Sequence, residues 1–372
     1  MPERRRTALS GQPSLGVYVH VPFCARRCDY CAFATWTDLH HLSVAYVDAC
    51  LTELGRAYDA GLGPAATVFF GGGTPSQLPP EELARLLEGI RVADGAEVTV
   101  ECNPEDVTER LLGTYAAAGV NRISLGVQSL VGRVLDSLGR RHEPGSVSRA
   151  VAAVGEAGYE SFSVDLIYGA AQETDDDWAA TLEGVLSLDP SPAHVSAYAL
   201  QAEPGTPLWH DPARHPDDDV QARRYEIVDA TLQAAGLGWY EISNWALPGH
   251  ECRHNLNYWR QGEYLGVGCA AHSHLAGRRF WNIRTPQRYL AAIASGRSAI
   301  AGEERLEPAD RLLEALELAI RTRDGVDGAA LPDDEALAGL IERDRDRAVL
   351  TRRGRLLANE VACRLRAPTQ IH

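Results

Sequence analysis

Short β-rich apolar runs alternate with amphipathic helical stretches through the first two-thirds of the chain, and few folds accept that order. The runs fall at 15–21, 67–70, 97–101, 122–127, 161–166 and 194–199, with helical patterns near 43–60, 81–93, 107–118, 131–138, 146–157 and 177–187. Ser43 before Val44, the run Pro79-Pro80-Glu81-Glu82, and Thr108 with Glu109 signal helix starts. Gly119, Gly158 and Pro190 stand where those helices should stop. Strand followed by helix, six times over, predicts a parallel sheet with right-handed crossovers. No dinucleotide-binding fingerprint accompanies it, so an α/β fold of the incomplete (β/α)6 TIM-like barrel type is expected rather than a Rossmann sheet. Cys24, Gly71–Thr74, Glu101 with Asn103, Gln128, Asp165 and Ala199 all fall at or just past successive strand ends, the face on which barrels and open sheets build sites.

Beyond this region, 204–219 reads as a loop rich in Pro, His and Asp, and 219–236 as a helix. Further strands are expected at 239–245 and 264–274, then a smaller, mainly helical C-terminal domain with amphipathic stretches at 308–323 and 333–350. The predicted division is 1–245 for the barrel and 246–372 for the C-terminal domain.

Composition narrows the function. Hydrophobic residues make up 45% and charged residues 23% of the 372, an ordinary globular balance. The longest apolar runs, 67–70 and 291–294, are far shorter than the ~20 residues that span a bilayer. The basic start Met1-Pro2-Glu3-Arg4-Arg5-Arg6 lacks the apolar stretch of a secretory signal, so a cytoplasmic protein is expected. A net charge of −15 argues against a general nucleic-acid binder. Every basic residue is Arg, which excludes a P-loop lysine, a pyridoxal phosphate Schiff base and a Ser-Lys dyad.

Three of eight cysteines crowd into Cys24-x3-Cys28-x2-Cys31, directly after the first strand. Three thiolates on one loop suit a [4Fe-4S] cluster that leaves one iron open to an exogenous ligand. A zinc site completed by His20 or His254 is the alternative, although no second Cys-x2-Cys knuckle exists. Gly71-Gly72-Gly73-Thr74-Pro75 lets backbone approach a ligand closely, or else makes a tight turn. Glu101 and Asp165 can each accept bonds from an amine or a ribose, or serve as a cap or an Arg partner. Asp175-Asp176-Asp177 is expected to charge a helix N-terminus. Cys50, Cys102 and Cys363 are expected to be structural, with Cys102 turned away from the site if Glu101 points in.

Together the Tyr18-Val-His20-Val-Pro-Phe-Cys24 segment, the cysteine triplet, the GGGTP loop, Gly126-Val-Gln128 and Asp165-Leu-Ile-Tyr-Gly169 resemble the radical S-adenosylmethionine superfamily. Within it they are similar to the oxygen-independent coproporphyrinogen III oxidase group, over about 15–360. The resemblance implies that Cys24, Cys28 and Cys31 hold a [4Fe-4S] cluster, whose fourth iron S-adenosylmethionine chelates through its amino and carboxyl groups. It implies nucleoside-contacting roles for Tyr18, Tyr30, Gly72, Gly73, Thr74, Glu101, Gln128, Arg140, Asp165 and Ala199, some of them at a second S-adenosylmethionine site. A reductant would supply the electron that cleaves the cofactor to a 5′-deoxyadenosyl radical.

Two departures separate the chain from the oxidase. The oxidase carries another cysteine two residues past its triplet, where this chain has Phe33, and a longer N-terminal segment. His254-Asn-Leu-Asn-Tyr258-Trp259, in contrast, resembles the H-N-x-x-Y-W motif of the haem chaperone HemW branch. His254 would ligate haem iron, and Tyr258 and Trp259 would pack on the macrocycle. On chemistry alone an aromatic core segment with a surface histidine explains the same residues, and Cys252, His250, His272 and His274 are further candidate ligands. The resemblance implies a haem carrier that passes haem to an acceptor protein, with no catalytic residue assigned. The alternative is radical oxidative decarboxylation of coproporphyrinogen III in porphyrin biosynthesis.

Overall fold

The computed structural model describes residues 15–140, 143, 145–344 and 346–366. Six parallel strands form its centre: β1 (Gly16–Val21), β2 (Ala65–Gly72), β3 (Val92–Cys102), β4 (Arg122–Gln128), β5 (Phe162–Tyr168) and β6 (His194–Ala199). The helices between them are α1 (Ser43–Asp59), α2 (Pro80–Glu88), α3 (Glu109–Ala118), α4 (Gly132–Ser137), α5 (Ser146–Glu156) and α6 (Asp175–Leu186). The barrel stays open because β1 and β6 do not pair. The free edge of β6 takes an antiparallel hairpin of β7 (Gly238–Glu241) and β8 (Asn244–Ala246), reached through α7 (Asp218–Ala234). The free edge of β1 takes β9 (Tyr264–Val267) in parallel, after α8 (Arg253–Trp259). Antiparallel β10 (His272–Leu275), β11 (Arg278–Asn282) and β12 (Ile300–Arg305) complete a sheet of twelve strands.

Local chemistry sets the helix ends. Thr108 accepts from the Leu111 amide to open α3, and Gly119, at φ 101°, closes it in the left-handed region where glycine is unstrained. Thr174 and Asp177 form a reciprocal capping box on α6, and the three aspartates 175–177 fill its first turn as the dipole favours.

Along each central strand the side chains alternate between two environments. Val17, Val19, Val68, Phe70, Val98, Val100, Ile123, Leu125, Val164 and Leu166 pack with the helices into the main apolar core. The opposite face, toward the barrel interior, is polar: Tyr18, Thr99, Glu101, Arg122, Ser124, Ser163, Asp165, His194 and Ser196. A parallel barrel more commonly fills this space with branched apolar residues.

Sheet and main core continue past residue 245, through Ala299 and β12, and a second apolar core gathers Ile320 to Leu365. That second core holds α10 (Pro308–Ala319, after α9 at Pro286–Ala294), β13 (Val326–Asp327), β14 (Ile341–Asp344), β15 (Arg347–Leu350), α11 (Arg352–Leu356) and α12 (Ala358–Ala362). The 333–350 stretch is a short turn and a hairpin rather than a helix. Gly339 at φ 75° interrupts any helix there, and Ile341 and Leu350 pair across the hairpin. A buried knot ties this unit to the barrel. Asp229 of α7, fully buried, accepts from Arg355 Nη1 and Nη2 at 2.8 and 2.9 Å and from Trp245 Nε1 at 2.9 Å, and it also pairs with Arg352. Cys50 is buried, but Cys363 is exposed and so is not the core residue its helical surroundings suggested. Cys102 joins the main core, as the alternation with Glu101 requires.

Candidate functional site

The loop after β1 carries the three cysteines to the C-terminal mouth of the barrel. Cys24 N donates to Trp36 O at 3.1 Å, Asp29 N to Leu138 O at 3.2 Å, and Leu208 N to Asp29 O at 2.9 Å. Arg214 pairs with Asp29 Oδ2 at 2.7 Å, so the 200–217 segment clasps the loop from outside. Under it, Gly73 N donates to Val21 O at 2.7 Å and Thr74 N to Phe23 O at 2.8 Å. A Cβ at Gly73 would lie 2.7 Å from Val21 O, 2.8 Å from Phe23 O and 3.1 Å from Cys24 Sγ, so only glycine lets the second loop seat beneath the first.

These loops line a cleft of about 530 Å³. Cys24, Cys28, Tyr30, Cys31, Gly72, Gly73, Thr74, Glu101, Gln128, Arg140, Asp165 and Ala199 all face it. Tyr18 does not: it lines the deeper interior, with its hydroxyl 3.2 Å from His20 Nδ1. Gln128 holds φ 65° at a register shift between β4 and β5, an unusual conformation for a side-chain-bearing residue and one that clusters at functional sites. Arg140 reaches Gly126 O at 2.7 Å, Asn103 Oδ1 at 3.1 Å and Cys28 Sγ at 3.6 Å. A guanidinium therefore stands beside the Cys28 sulfur, and its charge partly offsets the burial that raises Cys31. Phe33, noted in the sequence only as a departure from the oxidase, stands 67% exposed at the rim, and sequence reasoning passed over Tyr198, whose ring is open to the cleft. The period-two phase His194, Ser196, Tyr198 was the available signal.

Burial, reinforced by the neighbouring Cys31 and Cys28, pushes the Cys24 thiol up to about 11 against the Thr74 hydroxyl, which donates to its sulfur at 3.4 Å. Burial raises Cys31 as well. Such thiols keep their protons until a metal displaces them. The three free thiols line one cleft, and their chemistry suits a group that takes three thiolates and leaves a position for an exogenous ligand, although no three His, Cys, Asp or Glu side chains among the described residues converge closely enough to hold a metal ion as they stand. The zinc alternative loses its fourth ligand. His20 Nε2 is bonded to Ala34 O at 2.9 Å, and His254 lies at the other end of the barrel with both nitrogens engaged.

Deeper in the cleft, burial first and then the Asp165 charge push the Glu101 carboxyl up to about 8. Burial also raises Asp165, against bonds from Ser196 and Ser124, the latter at 2.8 Å. Two buried carboxyls beside a cleft are ready to accept bonds from a cationic amine or from hydroxyls, and would ionise as they did so.

The H-N-x-x-Y-W segment forms α8 and lies across the opposite, N-terminal end of the barrel. Glu97 holds its first turn, taking Arg253 N at 3.0 Å and His254 N at 2.9 Å. His254 is 1% exposed, with Nδ1 2.8 Å from Thr67 Oγ1 and Nε2 2.8 Å from Tyr258 OH. Its ring stacks on Phe69 at 5.3 Å, and burial lowers its pKa to about 3. The histidine is thus not at the surface, and iron can reach it only if one of these bonds breaks and α8 moves. Trp259 Nε1 and His274 Nε2 are buried without partners among the described residues, while His274 Nδ1 is 3.1 Å from Gly262 O. His272 stacks on Trp281, and His250 Nδ1 is 3.2 Å from Ser161 Oγ.

Residues 18–185 match the Radical SAM superfamily. The chain is 44% identical to the Heme chaperone HemW of Mycobacterium tuberculosis over 375 aligned positions, covering 95% of each. It is 32% identical to that of Bacillus subtilis, covering 92% of this chain and 97% of the relative. Against the Escherichia coli chaperone it is 40% identical, covering 70% of each. Among solved structures, the coproporphyrinogen III oxidase HemN of Escherichia coli shares the fold at TM-score 0.83, with 22% identity over 95% of this chain and 90% of that one.

Proposed function

Because the chain belongs to the HemW family of haem chaperones within the radical SAM superfamily, we propose that it is a cytoplasmic carrier that binds haem and passes it to an acceptor protein. The observation that carries this reading is end-to-end similarity, at 95% of both chains, to a protein named for that activity. Likeness to the oxidase is a likeness of fold alone.

In this reading Cys24, Cys28 and Cys31 hold a [4Fe-4S] cluster, and the cleft beside them receives S-adenosylmethionine. When bound and reduced by an external donor, the cluster supplies the electron for cleaving that cofactor. The protein's own part is positioning. Gly72 and Gly73 bring backbone against the cofactor, Glu101 and Asp165 accept its amine or ribose hydrogens, and Arg140 offsets thiolate charge at Cys28. Haem ligation by His254, with Tyr258 and Trp259 against the macrocycle, requires α8 to leave the barrel floor. The carrier step is therefore read as coupled to an opening of that segment.

No helix among the described residues is long and apolar enough to cross a membrane. The test is a haem titration of anaerobically reconstituted protein, followed in the Soret band and then by transfer to an apo-acceptor. Saturable uptake and release to the acceptor are expected. Absence of uptake, together with protoporphyrinogen formation from coproporphyrinogen III and S-adenosylmethionine, would replace the carrier with the oxidase.

A further inference from the structure

Below the cofactor cleft, between Glu101 and Asp165 above and α8 beneath, the barrel encloses a second cavity of about 140 Å³. Tyr18, Glu101 and Asp165 of the cofactor reading and His254 and Tyr258 of the haem reading border it, but neither reading places anything inside it. Three deeply buried side chains on its wall each point a polar atom without a partner: Arg122 Nη2, His194 Nδ1 and Thr99 Oγ1. Their residues are 4%, 2% and 1% exposed.

Arg122 is the unusual member. Its Nη1 donates to Ser161 Oγ and His250 O, both at 2.9 Å and both neutral. No carboxylate among the described residues pairs with it. Glu97, on the same floor, is committed to the amides of Arg253 and His254 and to the Cys252 thiol at 3.6 Å. Asp165, whose ionised form the Arg122 charge favours without an ion pair between them, is occupied by Ser124 and Ser196, and Glu101 by the Gly72 amide. A guanidinium cannot shed its proton, so a buried one without a counter-ion is unstable unless something else supplies the charge.

The other two orphaned atoms have the matching polarity. Tyr240 OH takes Cys252 N at 3.4 Å and Asn255 Nδ2 at 3.5 Å, so its own proton goes to His194 Nε2 at 2.8 Å. The imidazole then carries its hydrogen on Nδ1, and burial keeps the ring neutral. Guanidinium, imidazole N–H and hydroxyl are three buried donors on residues that line one space of about 140 Å³, large enough for a small ion once they turn toward it.

We propose that the barrel floor binds one small monovalent anion, a halide or a formate-sized carboxylate, between Arg122, His194 and Thr99. The ion would compensate Arg122 inside the barrel and complete the polar layer on which Asp165 and Glu101 rest.

The test is bromide. Crystals of the full-length reconstituted protein soaked in bromide should give one anomalous peak within hydrogen-bond distance of Arg122 Nη2, His194 Nδ1 and Thr99 Oγ1. In solution, bromide should raise the unfolding temperature saturably, and Thr99→Val should weaken its affinity about tenfold, as loss of one bond to a charge predicts. Arg122→Gln should abolish the saturable component; if that variant does not fold, Thr99→Val and the anomalous map carry the test. Formate displacing the bromide peak would identify a carboxylate site, and bromide resisting formate a halide site. Ordered water alone in the cavity, or an identical bromide response in wild type and Thr99→Val, would overturn the proposal.

Discussion

Replacing His254 by Ala tests whether α8 is a structural floor, a haem-ligand segment or both. The substitution leaves the buried Thr67 hydroxyl without its 2.8 Å partner and frees Tyr258 OH from its own. An orphaned buried hydroxyl costs about 1–3 kcal/mol. Loss of the imidazole stacked at 5.3 Å on Phe69 and set edge-on at 4.9 Å to Tyr258 removes about 0.5–1.5 kcal/mol more. The expected destabilisation is therefore about 2–4 kcal/mol, read from urea unfolding of the anaerobic apo-protein. Tyr258→Phe removes one of the two bonds and keeps the ring, so it should cost about 1 kcal/mol. Haem uptake is compared at a temperature where all three proteins are folded. Loss of uptake in His254→Ala with retention in Tyr258→Phe would mark the imidazole as the ligand. A His254→Ala loss below about 1 kcal/mol would refute the packing argument and mean that α8 is already loose.

Glu101 gives a pH signature. Its folded carboxyl sits near 8 against 4.5 when unfolded, so its contribution to stability is fully present below pH 4.5 and is lost as pH rises toward 8. Glu101→Gln should flatten the apo-protein's stability across that window in chemical denaturation; an unchanged slope would mean the carboxyl is ionised in the fold. Asp229→Ala should destabilise by about 3–5 kcal/mol by leaving Arg355 buried and unpaired, seen as a lower urea midpoint. Gly73→Ala should lose iron–sulfur absorbance and S-adenosylmethionine affinity on reconstitution, because its Cβ would meet Val21 O at 2.7 Å; full cofactor loading would contradict the cradle.

The sequence by itself was enough for the barrel and for the face on which its cleft opens. The six strands and six helices match the periodicity reading in order and place, and 194–199 coincides with β6, but the helix expected to run to 93 stops at Glu88 and β3 already begins at Val92. Local signals decide such elements: alternation for strands, a 3.6-residue stripe and caps for helices, and strand-end phase for the site. Twelve residues assigned by motif to the cluster and cofactor accordingly meet in one cleft. The C-terminal region was less legible, because a two-residue period broken by Gly339 and an amphipathic helix look alike over a short apolar stretch.

Only the tertiary structure decided what the inward face of the barrel contains and what closes it. A surface position for His254 was the alternative on chemistry alone, because nothing near it in sequence buries it; Thr67 and Phe69, nearly two hundred positions earlier, do so. Arg122, Thr99 and His194 are unremarkable one at a time and lie on three different strands. Their unpartnered donors matter because the sheet brings all three residues to the wall of one interior space, and the donors themselves are out of reach of water, where an unpaired polar group is far more costly than at the surface.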